Sequence, residues 1–208
     1  MSISENVPTL TTVEVPPSRH LRRRTAAVLT GAVSSTMAAL MVLAAPAQAA
    51  TVLSSSFEYP RVPGGSYEQL DHGDYVDGWR VDSGTVDLIG RNYWRAADGR
   101  QSVDLNGTSA GALTRRLRTD PRQRYELQFS LAGNPQGGPA IKRVRVTVGD
   151  VSRVFGFDTS GRTVNRLGWV EHTLRFNAHA RNTEVTFESL TRGSYGPALD
   201  DIQVDSIH

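Results

Sequence analysis

The chain reads as an all-β protein, an antiparallel β-sandwich, and three observations predict this. Apolar and polar residues alternate with a period of two in run after run, Gly and Pro clusters separate the runs, and no stretch carries a sustained helical stripe. Roughly ten short strands punctuated in this way fit a jelly roll.

A leader precedes the first strand. Arg19, Arg22, Arg23 and Arg24 stand before a mostly apolar run from Ala26 to Ala45, and Ala47-Gln48-Ala49 supplies small residues in an A-x-A pattern. A basic segment, an apolar segment and such a site make a secretory signal peptide over residues 1–49, cleaved after Ala49. A retained membrane anchor is the other reading of so long a run. Gly31, Ser34, Ser35 and Thr36 dilute it, however, and Pro46 ends it. Residues 51–208 then form a single domain, long enough for one sizeable core.

Charge and cysteine content bound what this domain does. The chain has 23 basic and 21 acidic residues; the leader holds four arginines, Glu5 and Glu14, which leaves 19 of each. A near-neutral exported domain argues against nucleic acid as the partner. Cysteine is absent, so no disulfide holds the fold, and a structural cation would be one substitute.

The exported part opens on Ser56-Phe57-Glu58, which sets an acid into an apolar strand. Pro63-Gly64-Gly65 turns the chain into a polar loop carrying Tyr67, Asp71, His72, Asp74 and Tyr75. Trp79 follows Asp77-Gly78 and starts a strand, which favours a place in the core. Tyr93 and Trp94 fall in a loop between Arg91 and Arg95, and Asp98-Gly99 and Asn106-Gly107 mark turns. Tyr125, Leu127, Phe129 and Leu131 then alternate with Glu126, Gln128 and Ser130. Past Asn134-Pro135 and Gly137-Gly138-Pro139, Val144, Val146 and Val148 alternate with Arg145 and Thr147. Val170, Leu174 and Phe176 give a further strand, and Val185 and Phe187 another. The closing strand, Ala198-Leu199-Asp200-Asp201-Ile202, again holds acids among apolar residues. Simple alternation puts Asp200 on the inward side with Ile202 and Val204.

Several strings carry a family resemblance. Asp77-Gly78-Trp79, Gly84-Thr85-Val86-Asp87-Leu88-Ile89, Tyr93-Trp94-Arg95-Ala96-Ala97-Asp98-Gly99 and Gln101-Ser102-Val103-Asp104-Leu105-Asn106-Gly107 come first. Leu131-Ala132-Gly133-Asn134-Pro135 and Tyr195-Gly196-Pro197-Ala198-Leu199-Asp200-Asp201-Ile202 follow. In this order they resemble the choice-of-anchor C family of bacterial exported proteins, which is similar to the domain of unknown function 642 of plant cell-wall proteins. The resemblance covers essentially all of residues 51–208. It implies a galactose-binding-like jelly roll, related to carbohydrate-binding modules that carry a structural calcium.

In those modules an acid of the opening strand, a loop acid, backbone carbonyls and an acid of the closing strand hold the ion. The matching positions are Glu58, Asp98, the Gln101 carbonyl and Asp200. Calcium takes six to eight oxygens of this kind. The alternative is that Glu58 and Asp200 accept backbone hydrogen bonds where the terminal strands meet.

Sugar-binding sandwiches present aromatic faces flanked by polar groups. The candidate ligand contacts are Tyr93, Trp94, Arg95, Tyr195 and Arg145. Arg145 belongs to a set with Arg115, Arg116, Arg118, Lys142 and Arg143 that would suit uronate or phosphate groups if their strands were neighbours. Otherwise these are solvated side chains offset by acids. Catalytic motifs are missing: there is no G-x-S-x-G, no H-E-x-x-H and no phosphate-binding glycine loop. His172 falls on the apolar side of its strand, and Asp71-His72-Gly73-Asp74 reads as surface. The sequence thus leads to a secreted, extracellular, monomeric and non-catalytic module for cell-wall or environmental polysaccharide. A protein-interaction or structural surface module is the alternative.

Overall fold

The computed structural model describes residues 49–207; the signal segment predicted over 1–49 lies outside them except for Ala49. Thirteen strands are described in this span. They are β1 (Thr51–Ser55), β2 (Tyr67–Asp71), β3 (Tyr75–Val76), β4 (Trp79–Ser83), β5 (Thr85–Ile89), β6 (Ser102–Asp104) and β7 (Ala112–Arg118). The rest are β8 (Arg124–Gly133), β9 (Ile141–Val148), β10 (Val151–Asp158), β11 (Val170–Asn177), β12 (Asn182–Ser189) and β13 (Pro197–Ile207). One sheet runs β11-β8-β13-β6-β5-β2, with β1 on β13; the other runs β10-β9-β12-β7-β4-β3. All named pairings are antiparallel.

The alternation that predicted the strands also builds the core. Leu127, Phe129 and Leu131 from β8, Val144, Val146 and Val148 from β9, and Val185 and Phe187 from β12 are all buried between the sheets. Trp79 joins them, as its place before a strand predicts. It meets Phe187 edge-on at 5.5 Å, and its Nε1 donates to Ser55 Oγ at 3.0 Å. The indole thereby keeps its polar atom satisfied inside the core. His172 packs 5.5 Å from the Phe129 ring and 4.9 Å from that of Phe155, and burial lowers its pKa.

The outer face of the first sheet carries a row of polar residues. Register pairs Gln69 with Asp87, Asp87 with Asp104, Asp104 with Ala198, and Ala198 with Ala132. Paired residues share a side of the sheet. Since Val86, Leu88, Val103 and Leu199 fill the core, this row faces outward. Three loops, residues 90–101, 134–140 and 190–196, connect the strands beside it.

Candidate binding pocket

Asp104 is the centre of this outer face, and it is fully buried. Its Oδ1 accepts from Asn106 N and Gly196 N, each at 3.0 Å, and its Oδ2 from Asn134 Nδ2 at 2.8 Å. Burial raises its carboxyl to about 7; those hydrogen bonds offset part of the rise, and the charge of Asp87 adds to it. Burial likewise raises Asp87 to about 6. The two acids are register partners, so they resist carrying charge together.

Neighbouring groups hold this acid in place. Asn106 Nδ2 donates to Thr191 O at 2.8 Å and to Gly193 O at 2.6 Å, tying the 190–196 loop to the end of β6. Lys142, buried on the core side of β9, sends Nζ to Gly137 O at 2.7 Å and Tyr195 O at 2.6 Å. Burial lowers its pKa, and the charge of Asp104 works against that. Gly137 lies flush against the Tyr195 ring, where a Cβ would overlap it.

Above Asp104 opens a cavity of about 260 Å³. Its rings are Tyr67, Tyr93 and Tyr195, and its polar groups are Gln69, Asp87, Asn134 and Gln136. Tyr67 and Tyr93 meet edge-on at 5.6 Å, and Tyr93 donates from its hydroxyl to Gln136 Oε1 at 3.0 Å. Tyr67 is 51% exposed and Tyr195 40%, so both rings still offer open faces. Asp87 Oδ1 is buried with no hydrogen-bond partner, as is Asn106 Oδ1. An acceptor left in that condition is costly, by about 1–3 kcal/mol. The volume falls just below the ~300 Å³ at which small-molecule sites usually begin, which suits a small ligand.

Tyr93 and Tyr195 therefore come together as the sequence suggests, but their companions differ. Trp94 is not an exposed partner of Tyr93: it is 3% exposed, and its Nε1 donates to Ser102 Oγ at 2.7 Å. It anchors its loop onto the sheet. Arg95 is exposed away from the tyrosines, and its carbonyl accepts from Trp169 Nε1 at 2.9 Å. Arg145 lies on the opposite sheet, paired with Glu188 at 2.7 Å. β12 separates β7 from β9 there and sets Glu184 beside Arg116, so the basic stripe is offset by acids. Lys142 is no part of that face.

The four calcium candidates gather around the 97–101 loop. Asp200 Oδ2 accepts from Ala97 N at 2.7 Å and Asp98 N at 3.0 Å, and Oδ1 from Asp201 N at 2.8 Å. Glu58 Oε1 accepts from Arg100 N at 2.6 Å and Gln101 N at 2.9 Å, while Asp98 Oδ2 accepts from Ser56 Oγ at 2.8 Å. The Gln101 side chain is a clamp, with Nε2 donating to Phe57 O at 2.6 Å and Pro60 O at 2.8 Å. Among the described residues no three His, Asp or Glu side chains converge as a metal cluster. As arranged, Glu58 and Asp200 serve the backbone of the loop, and Asp98 ties it to Ser56. Asp200 also departs from the inward side assigned by alternation. Asp201 takes a left-handed φ of 49° at a bulge, which shifts the register between Asp200 and Gln203 and turns Asp200 outward beside Ser130. Burial under the loop raises its carboxyl to about 7 despite its three backbone donors.

Asp87, Asp104, Asn134 and Gln136 escaped the sequence reading as site residues. The clue was present in Asp104, an acid between Val103 and Leu105 that calls for the same explanation as Asp200.

Fold and pocket together define a galactose-binding-like jelly roll with a small polar cavity ringed by aromatics. The tandem CBM22-1–CBM22-2 domains of Paenibacillus barcinonensis Xyn10C share this fold at a TM-score of 0.50 and 16% identity, over 79% of this chain and 48% of that one. A family 35 carbohydrate-binding module from Clostridium thermocellum aligns at 0.44 and 16% identity, over 76% of this chain and 98% of that one. CBM35 from Cellvibrio japonicus Abf62 aligns at 0.45 and 20% identity, over 67% and 92%. The chain belongs to the family described as protein of unknown function (DUF642), which it matches over residues 51–205. It is also 29% identical over 139 residues to halomucin of Haloquadratum walsbyi; this covers 62% of the chain but only 1% of that protein's length.

Proposed function

We propose that this domain is an exported, extracellular, non-catalytic module that binds polysaccharide by seating one sugar unit in the tyrosine-ringed cavity. The observation that carries this reading is the Asp87 carboxyl, an acceptor short of a donor in the wall of a cavity lined by three tyrosines. A sugar offers what the cavity lacks, hydroxyl donors for Asp87 and an apolar C–H face for Tyr195 or Tyr67. Catalysis has less support. Asp104 is sealed beneath Asn134 and Gly196, so it serves as a strut and not as a proton carrier open to substrate. Membership of the bacterial choice-of-anchor C group and a monomeric state belong to the same proposal.

Titration of the purified domain with neutral oligosaccharides on a glycan array, followed by calorimetry on the hits, tests it. Saturable binding that falls at least tenfold in both Tyr195→Ala and Asp87→Ala supports the reading. Absence of binding to any glycan would leave the protein-interaction alternative. Calcium at Glu58, Asp98, the Gln101 carbonyl and Asp200 belongs to the same proposal, supported by the gathering of these acids around the 97–101 loop, where a divalent cation would offset their charge. Melting with and without chelator, alongside elemental analysis, decides it; an unchanged midpoint and calcium-free protein remove the idea.

A further inference from the structure

A second recognition surface lies beside the tyrosine pocket, and its chemistry is different. Two open cavities, of about 630 and 490 Å³, adjoin at Arg91, Gly99 and Arg100. Arg95 lines the larger and Arg61 the smaller, so four arginines line the two adjoining cavities. None of the four is in an ion pair among the described residues, whereas Arg80, Arg145 and Arg175 each have a carboxylate partner. The acid in the cleft wall, Glu58, already has Oε1 engaged by Arg100 N and Gln101 N. Asp98 borders the loop with its Oδ2 accepting from Ser56.

The arginines stand on a fixed frame. Gly65 N donates to Arg91 O at 2.6 Å, Trp169 Nε1 holds Arg95 O at 2.9 Å, and the Arg61 guanidinium lies 5.8 Å from the centre of the Tyr59 ring. Trp94 is pinned below by Ser102. The held backbone sets the spacing of the arginines along the cleft, and guanidinium pairs bidentately with planar carboxylate.

We propose that this arginine cleft binds an acidic polysaccharide, taking the uronate carboxylates of successive residues on Arg91, Arg100 and their neighbours. The combined volume exceeds what one sugar ring needs, which fits a segment of chain. Nucleic acid fits less well, because Glu58 and Asp98 interrupt the basic surface and the exported domain carries 19 basic residues against 19 acidic ones.

Affinity electrophoresis of the purified protein through gels containing polygalacturonate, dextran sulfate, neutral galactan or single-stranded DNA provides the test. The expected result is retardation by polygalacturonate that weakens as salt rises, and that falls at least tenfold in the Arg91→Gln/Arg100→Gln double variant with its melting midpoint unchanged. Arg116→Gln, on the opposite sheet, should retain full retardation. So should Tyr195→Ala, which separates this cleft from the sugar pocket. No retardation by polygalacturonate, or retardation indifferent to the double substitution, would overturn the proposal. Stronger retardation by dextran sulfate or by DNA would overturn it as well, since the carboxylate would then not be what the arginines select.

Discussion

At the scale of single residues, Asp87 links the pocket to pH. Burial raises its carboxyl to about 6, so it changes charge around that pH. As a carboxylate it accepts a sugar hydroxyl more strongly than as the neutral acid. Affinity for a neutral sugar should therefore rise as pH climbs through about 6, by severalfold, and then level off. Calorimetry from about pH 5 to about pH 8 measures the curve, and Asp87→Asn should flatten it. A flat curve in the unsubstituted protein would separate Asp87 from binding. Tyr93 contributes differently, since its hydroxyl is committed to Gln136. Tyr93→Phe should leave the ring in place, free the Gln136 amide and cost affinity only modestly, about 1 kcal/mol.

At the scale of elements, the strands were legible and the loops were not. Period-two alternation locates β8, β9, β11 and β12 because each has one face in the core, and that is the physical origin of the pattern. The same logic misplaces Asp200, because one left-handed residue, Asp201, reverses the parity of β13 without marking the composition. Trp94 was misread for a related reason. Flanking arginines suggest an exposed loop, yet the loop folds back onto the outer face of its own sheet and Ser102 takes the indole proton. The pocket is assembled from residues near 69, 87, 104, 134 and 195, and only pairing of strands distant in sequence brings them together. Loop packing also gives a clean prediction at Gly137. A methyl group there overlaps the Tyr195 ring, while the strands around it are untouched. Gly137→Ala should weaken sugar binding tenfold or more and cost roughly 1–3 kcal/mol of stability, and calorimetry paired with denaturant melts resolves the two effects. A variant that binds as before would show that Tyr195 is not a fixed wall of the site.

For the whole molecule, one buried group joins both sheets to the pocket. Lys142 rises from the second sheet, passes the end of the core and holds two loop carbonyls over the first sheet, close enough to Asp104 for their charges to interact. Stability should feel the acid side of this arrangement. Asp104 has an ordinary pKa of 3.8 when unfolded and about 7 when folded, so the folded state holds its proton more firmly between those values. Linkage then fixes the sign. The contribution is fully present below the unfolded pKa and is lost as pH rises through the folded one, so the fold weakens over about pH 4 to 7. The melting midpoint should be several degrees lower at about pH 8 than at about pH 5, opposite to the usual behaviour of paired surface carboxylates. Asp104→Asn keeps an oxygen for Asn106 N and Gly196 N and removes its own titration, so it should reduce the slope even if it lowers stability throughout; the slope that remains belongs to Asp87 and Asp200, whose carboxyls burial also raises, to about 6 and about 7. Under the proposed function, sugar affinity should rise over the same interval, because Asp87 gains its charge there. If the cavity seats a sugar as proposed, it holds that sugar most tightly where the fold is weaker, and bound sugar should then raise the melting midpoint more at about pH 8 than at about pH 5. Equal ligand-induced shifts at the two pH values would break the connection between the buried acids and the pocket.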